Sequence, residues 1–219
     1  MSEESSHHGD TTGNTYIDLG ADTGEGYAIS SRSREMARQA IGDNSPEDRI
    51  RQRCSIAVGD FAMAGLMRFS HDPVSAGRTA LEGGAPIFTD IRMVQTGIQK
   101  KGHASPITCV LDLPPGPDMD GERTRTSAGF LSLGASIRGS IIVIGNAPSA
   151  LLVVCEMIEQ GIRPALVIGT PVGFVNAAES KELLRTLDIP SISNEGTRGG
   201  TPVAVAAMNE IITIHAADA

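Results

Sequence analysis

The chain has 219 residues, a formal net charge of −8, three cysteines and no tryptophan. That length suits one α/β domain with a sizeable core, and no apolar run approaches the roughly 18 residues of a membrane helix. The acidic balance, the lack of a Lys/Arg cluster, and only two Tyr and five Phe argue against a nucleic-acid partner.

Residues 1–14 are polar and rich in Ser, Thr and Gly, and they read as a disordered tail. No basic or apolar leader pattern is evident, which gives a cytoplasmic expectation. His7 and His8 sit in this tail without ligand spacing. Residues 15–219 read as one α/β domain, opening with a short strand or arm over 15–19. Gly24-Glu25-Gly26 is a fragment of a dinucleotide fingerprint, but it lacks the third glycine and the strand–helix frame.

A helical pattern covers residues 28–41. Ser45 then caps a helix opened by Pro46 and predicted to reach about Phe69, with Ile50, Cys54, Ala57, Phe61 and Ala64 as its packed stripe. Arg53, Ile56 and Asp60 follow one another along its flank, a turn apart. Asp72-Pro73 starts a helix stopped by Gly83-Gly84, and residues 86–89 form a strand ending at Asp90. A helix to about Ile98, a strand over 107–113 and a loop over 114–120 come next. A small-residue helix covers 123–137, a strand 140–144 and a helix 149–160.

Residues 164–181, PALVIGTPVGFVNAAESK, combine a buried-strand run, a Gly/Pro turn and a helix opened by Asn176 as cap. A last strand at 191–193 and a helix from Gly199-Gly200 to about Ile214 complete the chain. Alternating strands and helices over 85–214 predict a three-layer α/β/α domain with a mainly parallel sheet. Four strand ends then converge on one crevice, at Asp90-Ile91-Arg92, Gly145-Asn146, residues 169–173 and residues 194–200. Helix N-termini and arginines there suit a ligand with several carboxylates or phosphates. Asp90, Asn146, Gly173 and Glu179 are ligand-binding candidates on this ground; Asp90 and Asn146 are equally N-cap candidates, and Glu179 equally a dipole-stabilised first-turn residue. Lys181 is expected in solvent. Cys54, Cys109 and Cys155 read as buried free thiols, and His71, His103 and His215 have no partners at metal-ligand spacing.

Six segments in order resemble the precorrin-8X (cobalt-precorrin-8) methylmutases. Residues 28–33, AISSRS, are similar to AIYxRSF, and GAPI at 84–87 with TDIRMV at 89–94 is similar to GAPIxxDxxMV. Residues 124–126 resemble TRS, 144–151 resemble IGNAPTAL, 171–181 nearly reproduce PVGFVxAAESK, and 199–202 resemble GGSP. The resemblance spans about 27–212 and implies a flavodoxin-like fold and a homodimer. It implies an isomerase without cofactor, in which a methyl group migrates from C-11 to C-12 of a corrin precursor. Any cobalt belongs to the substrate. The implied substrate-binding residues include Arg32, Ser33, Arg53 and Arg125.

The chain departs from the pattern at its acid. Where the family has RxxHxxG, this chain has Arg53-Cys54-Ser55-Ile56-Ala57-Val58-Gly59, with Ile56 at the histidine position. Arg34 stands in place of Phe, and Glu195 in place of Arg. Asp60 is the nearest stand-in for the acid, or else a solvated helix-face carboxylate. The readings are a methylmutase whose acid has moved, a corrinoid-binding paralogue without turnover, and an isomerase of another tetrapyrrole. A nucleotide- or phosphate-binding module is the distant alternative.

Overall fold

The computed structural model describes residues 23–114 and 123–217. The expected tail 1–14 with His7 and His8, the strand at 15–19 and most of the loop 114–120 lie outside the described residues. Among the described residues, six strands form one sheet in the order β1-β6-β5-β4-β2-β3. They are β1 (Met67–Ser70), β2 (Ile87–Thr89), β3 (Ile107–Cys109), β4 (Ile141–Ile144), β5 (Leu166–Gly169) and β6 (Ser191–Asn194). β2 to β6 run parallel and follow the flavodoxin-like order, while β1 pairs antiparallel with β6 through Met67↔Asn194 and Phe69↔Ile192.

The central strands are buried on both faces, so their apolar runs are continuous rather than alternating. The strand period of two divides them. Ile141, Val143, Leu166 and Ile168 face one core with helices α2 (Pro46–Val58), α4 (Pro73–Glu82), α5 (Arg92–Gly97) and α9 (Thr201–Ala217). Ile142, Ile144 and Val167 face the other core with α6 (Arg125–Leu133), α7 (Pro148–Glu159) and α8 (Ala177–Thr186). Helix α1 (Gly24–Ile41) lies against α2 and buries only Ala37 fully. Gly24-Glu25-Gly26 is thus the first turn of a helix capped by Thr23.

The helix expected from Pro46 to Phe69 is three elements. Gly59 adopts φ 65°, the left-handed conformation that ends α2, and its N–H returns to Ile56 and Ser55. A short α3 (Ala62–Leu66) and strand β1 follow. Of the expected stripe, Ile50, Cys54 and Ala64 are buried, while Ala57, in the last turn of α2, and Phe61, beyond its end, are exposed. Strand β3 likewise stops at Cys109 and passes into a 3-10 turn, and α6 stops at Gly134. Asn176 takes φ 61° before α8 and makes no side-chain cap bond. The cysteines are buried free thiols, and burial pushes those of Cys54 and Cys155 up to about 12.

Two buried side chains shape the C-terminal edge of the sheet. Asp90 sits where the strand order reverses, between β2 and β4. Its Oδ1 accepts from the N–H groups of Ile91 (3.0 Å) and Gly145 (3.3 Å), and its Oδ2 from those of Asn146 (2.7 Å) and Ala147 (2.9 Å). It therefore ties two strand ends together rather than capping its own helix. It serves α7 in place of a local cap, since Ala147 is the N-cap residue and Asn146 is exposed. Burial raises the Asp90 pKa, and the four N–H donors pull it back.

The second is Lys181, which is fully buried, contrary to the expectation of a solvated side chain. Its Nζ donates to the Arg198 carbonyl oxygen at 2.6 Å and to Asn194 Oδ1 at 3.4 Å, and Asn194 Nδ2 donates to the same carbonyl at 2.5 Å. These bonds pin the loop after β6 over β5. Gly199 (φ 144°) lets the backbone cross there, because a Cβ would collide with the Thr170 carbonyl oxygen. Desolvation, with Arg185 nearby, lowers the Lys181 pKa to about 8.

Asp90→Asn places an amide nitrogen against backbone donors and should lower unfolding free energy by about 2–3 kcal/mol in urea titrations. For Lys181 the unfolded chain holds a proton that the folded chain has released between about pH 8 and the ordinary 10.5. Stability should therefore gain from this residue as pH rises through that window, and Lys181→Met should flatten the slope measured from pH 7.5 to 10.

Candidate functional site

The residues gathered most closely lie where α1 and α2 cross α9. Helix periodicity puts Arg49, Arg53 and Ile56 on one side of α2, at steps of four and three. Opposite them, α9 presents Glu210 and Thr213, again one turn apart. The Glu210 side chain is wholly buried and holds three guanidinium groups. Oε1 meets Arg49 Nη2 at 2.8 Å; Oε2 meets Arg53 Nη1 at 3.0 Å and Arg34 Nη2 at 3.2 Å. Arg53 also donates to Thr213 Oγ1 at 3.1 Å.

In front of this cluster lies a cleft of about 360 Å³, lined by Ser33, Arg34, Arg53, Ile56 and Asn209 among others. Ser33 and Ile56 also border a neighbouring hollow of about 290 Å³ with Ser55, Asp60 and Phe61. Ser33, Arg53 and Ile56, separated in sequence, thus share one recess. Ser33 Oγ donates to the Ile29 carbonyl at 3.0 Å. The Ser55 hydroxyl is buried beside them with no hydrogen-bond partner among the described residues.

Asp60 lies at the edge of the second hollow, just beyond the end of α2, and pairs with the Arg198 guanidinium. That bond, with one from the Ala62 N–H, holds its carboxyl below the usual carboxylate range. At neutral pH it is an anion with no proton to give. Glu195 pairs with Arg68 across β1 and β6 at 2.8 Å, so its charge is turned to the sheet edge.

The other candidates stand apart from this recess. Arg32 is exposed on α1, and Arg125 is exposed at the start of α6. Asn146 is exposed at the reversal of strand order, while Asp90 is buried beneath it. Gly173 has φ 149° and donates its N–H to the Thr197 carbonyl at 3.0 Å, bracing the two crevice loops. Glu179 is exposed in the first turn of α8. Phe174 and Val175 on the same loop are 94% and 76% exposed. No group of three or more His, Cys, Asp or Glu suited to a metal occurs among the described residues.

Sequence reading missed Glu210 and the buried role of Lys181. A single acidic residue inside the apolar run of α9 was the available signal, since a charge on a buried face demands a partner.

The Precorrin-8X methylmutase family model matches residues 28–214. The chain is 39% identical over 204 residues to a Cobalt-precorrin-8 methylmutase of Methanothermobacter thermautotrophicus, covering 90% of this chain and 97% of that one. It is 37% identical over 194 residues to the Cobalamin biosynthesis protein CbiHC of Archaeoglobus fulgidus, covering 89% of this chain but 41% of that longer protein. The fold matches a solved precorrin-8x methyl mutase of Thermus thermophilus with a TM-score of 0.79 and 37% identity, over 87% of this chain and 98% of that one. Sequence and fold agree over nearly the same residues, and the chain belongs to the precorrin-8X methylmutase family.

Proposed function

We propose that the protein rearranges a precorrin-8-type macrocycle in cobalamin biosynthesis, moving a methyl group from C-11 to C-12. The observation that carries this is the shared recess of Ser33 and Arg53, the two positions that align with the resembled substrate contacts. The macrocycle supplies several carboxylates, and an arginine whose guanidinium is held in place by Glu210 and Thr213 is suited to one of them. Ser33 adds a hydroxyl beside the same wall. Arg32, Arg125, Asn146, Gly173 and Glu179 serve the substrate's outer edge from the strand-end crevice and its neighbouring helices, and Asp90 serves by fixing that crevice. We assign no cofactor; cobalt, where present, enters with the substrate. The protein works as a cytoplasmic homodimer.

The reaction needs a proton on a ring nitrogen. Ile56 has none to donate, and Asp60 is held as an anion by Arg198. The chain therefore acts by binding and orienting the macrocycle while the proton comes from solvent. It forgoes the factor of about 10²–10⁴ that a positioned acid supplies.

The test is an absorption time course with precorrin-8 and its cobalt form at stoichiometric protein. Slow conversion to the hydrogenobyrinic acid chromophore is expected. Ile56→His should accelerate it about 100-fold, and Asp60→Asn should leave the rate within about twofold. A stable bound spectrum that neither wild type nor Ile56→His converts would overturn the catalytic reading. Loss of turnover in Asp60→Asn alone would make Asp60 the acid. Sedimentation should report twice the chain mass; a monomer at assay concentration would remove the dimer from the scheme.

A further inference from the structure

Lys181 is a fully buried ammonium with no carboxylate on it among the described residues. Two oxygens there, the Arg198 carbonyl and Asn194 Oδ1, serve its three N–H donors. The charged side chain acting on it is Arg185, one turn further along α8, and that contact is repulsive. Arg198 sends its own guanidinium away from the lysine, to Asp60. A cation held dry without a counter-charge is costly, so the closed arrangement persists against a standing drive to hydrate Lys181.

The nearer acceptor belongs to residues 195–200, the stretch that joins β6 to α9. This stretch is tied on two sides. Toward the crevice, the Thr197 carbonyl accepts from the Gly173 N–H at 3.0 Å, and the Gly200 N–H donates to the Thr170 carbonyl at 2.7 Å. Toward the recess, Arg198 pairs with Asp60, which borders the 290 Å³ hollow. At its start, Glu195 pairs with Arg68 of β1. Both ion pairs are well exposed to water and therefore weak. Gly196 and Gly200, at φ 69° and 109°, lie near the two ends and supply turning points that a side chain would stiffen.

We propose that residues 195–200 form a hinged strap, with the buried Lys181 ammonium as its catch. Lifting the strap hydrates the ammonium and frees Gly173 and Asp60 in one movement, so crevice and recess open together. A bulky ligand enters and leaves either region through the lifted state. The strap does not rest on the corrinoid reading, and its test needs no ligand.

Acylation of lysine reads the strap directly. The chain has three lysines, and the exposed Lys100 and Lys101 are internal references for buried Lys181. The full chain is treated with N-hydroxysuccinimidyl acetate in zero to mild urea, and each lysine is followed by mass spectrometry. Lys181 is expected to react far more slowly than the references. Mild urea should leave its rate within about twofold, because lifting a short strap exposes little surface. Arg198→Ala and Glu195→Ala each cut one ion pair and keep the Arg198 carbonyl. Each should raise the Lys181 rate about threefold at an unchanged melting temperature, the scale of an exposed pair, and the double variant about tenfold. A Lys181 rate that climbs with urea as steeply as global unfolding would overturn the strap, since the ammonium would then be reached only by unfolding the domain. Reaction at the pace of Lys100, or a rate that both variants leave unmoved, would overturn it as well. The wild-type urea series decides alone where a variant loses stability.

Discussion

The buried carboxylate of Glu210 is the constraint on which the recess depends. Helix α1 buries only Ala37 fully, so apolar packing alone gives it little hold on the body of the protein. Its place is fixed instead by Arg34 reaching Glu210, to which Arg49 and Arg53 of α2 also bind. Such a cluster is poor evidence of net stability, because desolvating the charges offsets much of their attraction. It does specify geometry. An unpaired Glu210 in an apolar helix would be very costly, so arrangements in which α1 and α2 drift from α9 are disfavoured. Ser33, Arg53 and Ile56 face one another as a result.

A second level of order lies at the strand ends. Asp90 and Lys181 both act on backbone rather than on other charges: the first on four N–H groups, the second on a carbonyl shared with Asn194. The strand-end crevice thus has a rigid frame at the reversal of strand order, and the separate recess has a helical wall held by ion pairs. Ile56, where the resembled motif has histidine, contributes to neither, so the family fold does not depend on the residue at that position.

Much of this was legible in the sequence, because buried parallel strands and capped helices leave local marks. The apolar runs at 141–144 and 166–168, with Gly and Pro after them, placed the sheet core within a residue of its bounds. Strand β1 was missed because Met67–Ser70 has no β-branched residue and continues a helical spacing; its strand character comes from pairing with β6, more than a hundred residues away. Gly59 looked like a small residue within a helix, whereas its positive φ ends one. Lys181 looked solvated because its partners, Asn194 at the end of β6 and the Arg198 carbonyl in the loop beyond it, come from a later part of the chain that packs over it. Glu210 was passed over for the same reason, since its arginines lie 157 to 176 positions away. Ser33, Arg53 and Ile56 were named from their motifs, but only the crossing of α1, α2 and α9 brings them together.

The tie made by Asp90 is indifferent to side-chain identity, since it grips main-chain N–H groups alone. Gly145 is confined to glycine by space, as a Cβ there would lie 2.9 Å from the Thr201 Cα. Asn146 next to it is exposed and under no such restriction. The crevice therefore separates its shape from its chemistry. A lineage can exchange the exposed side chain at 146 without loosening the frame that carries it, which leaves room for the crevice's surface chemistry to drift while the architecture stays put.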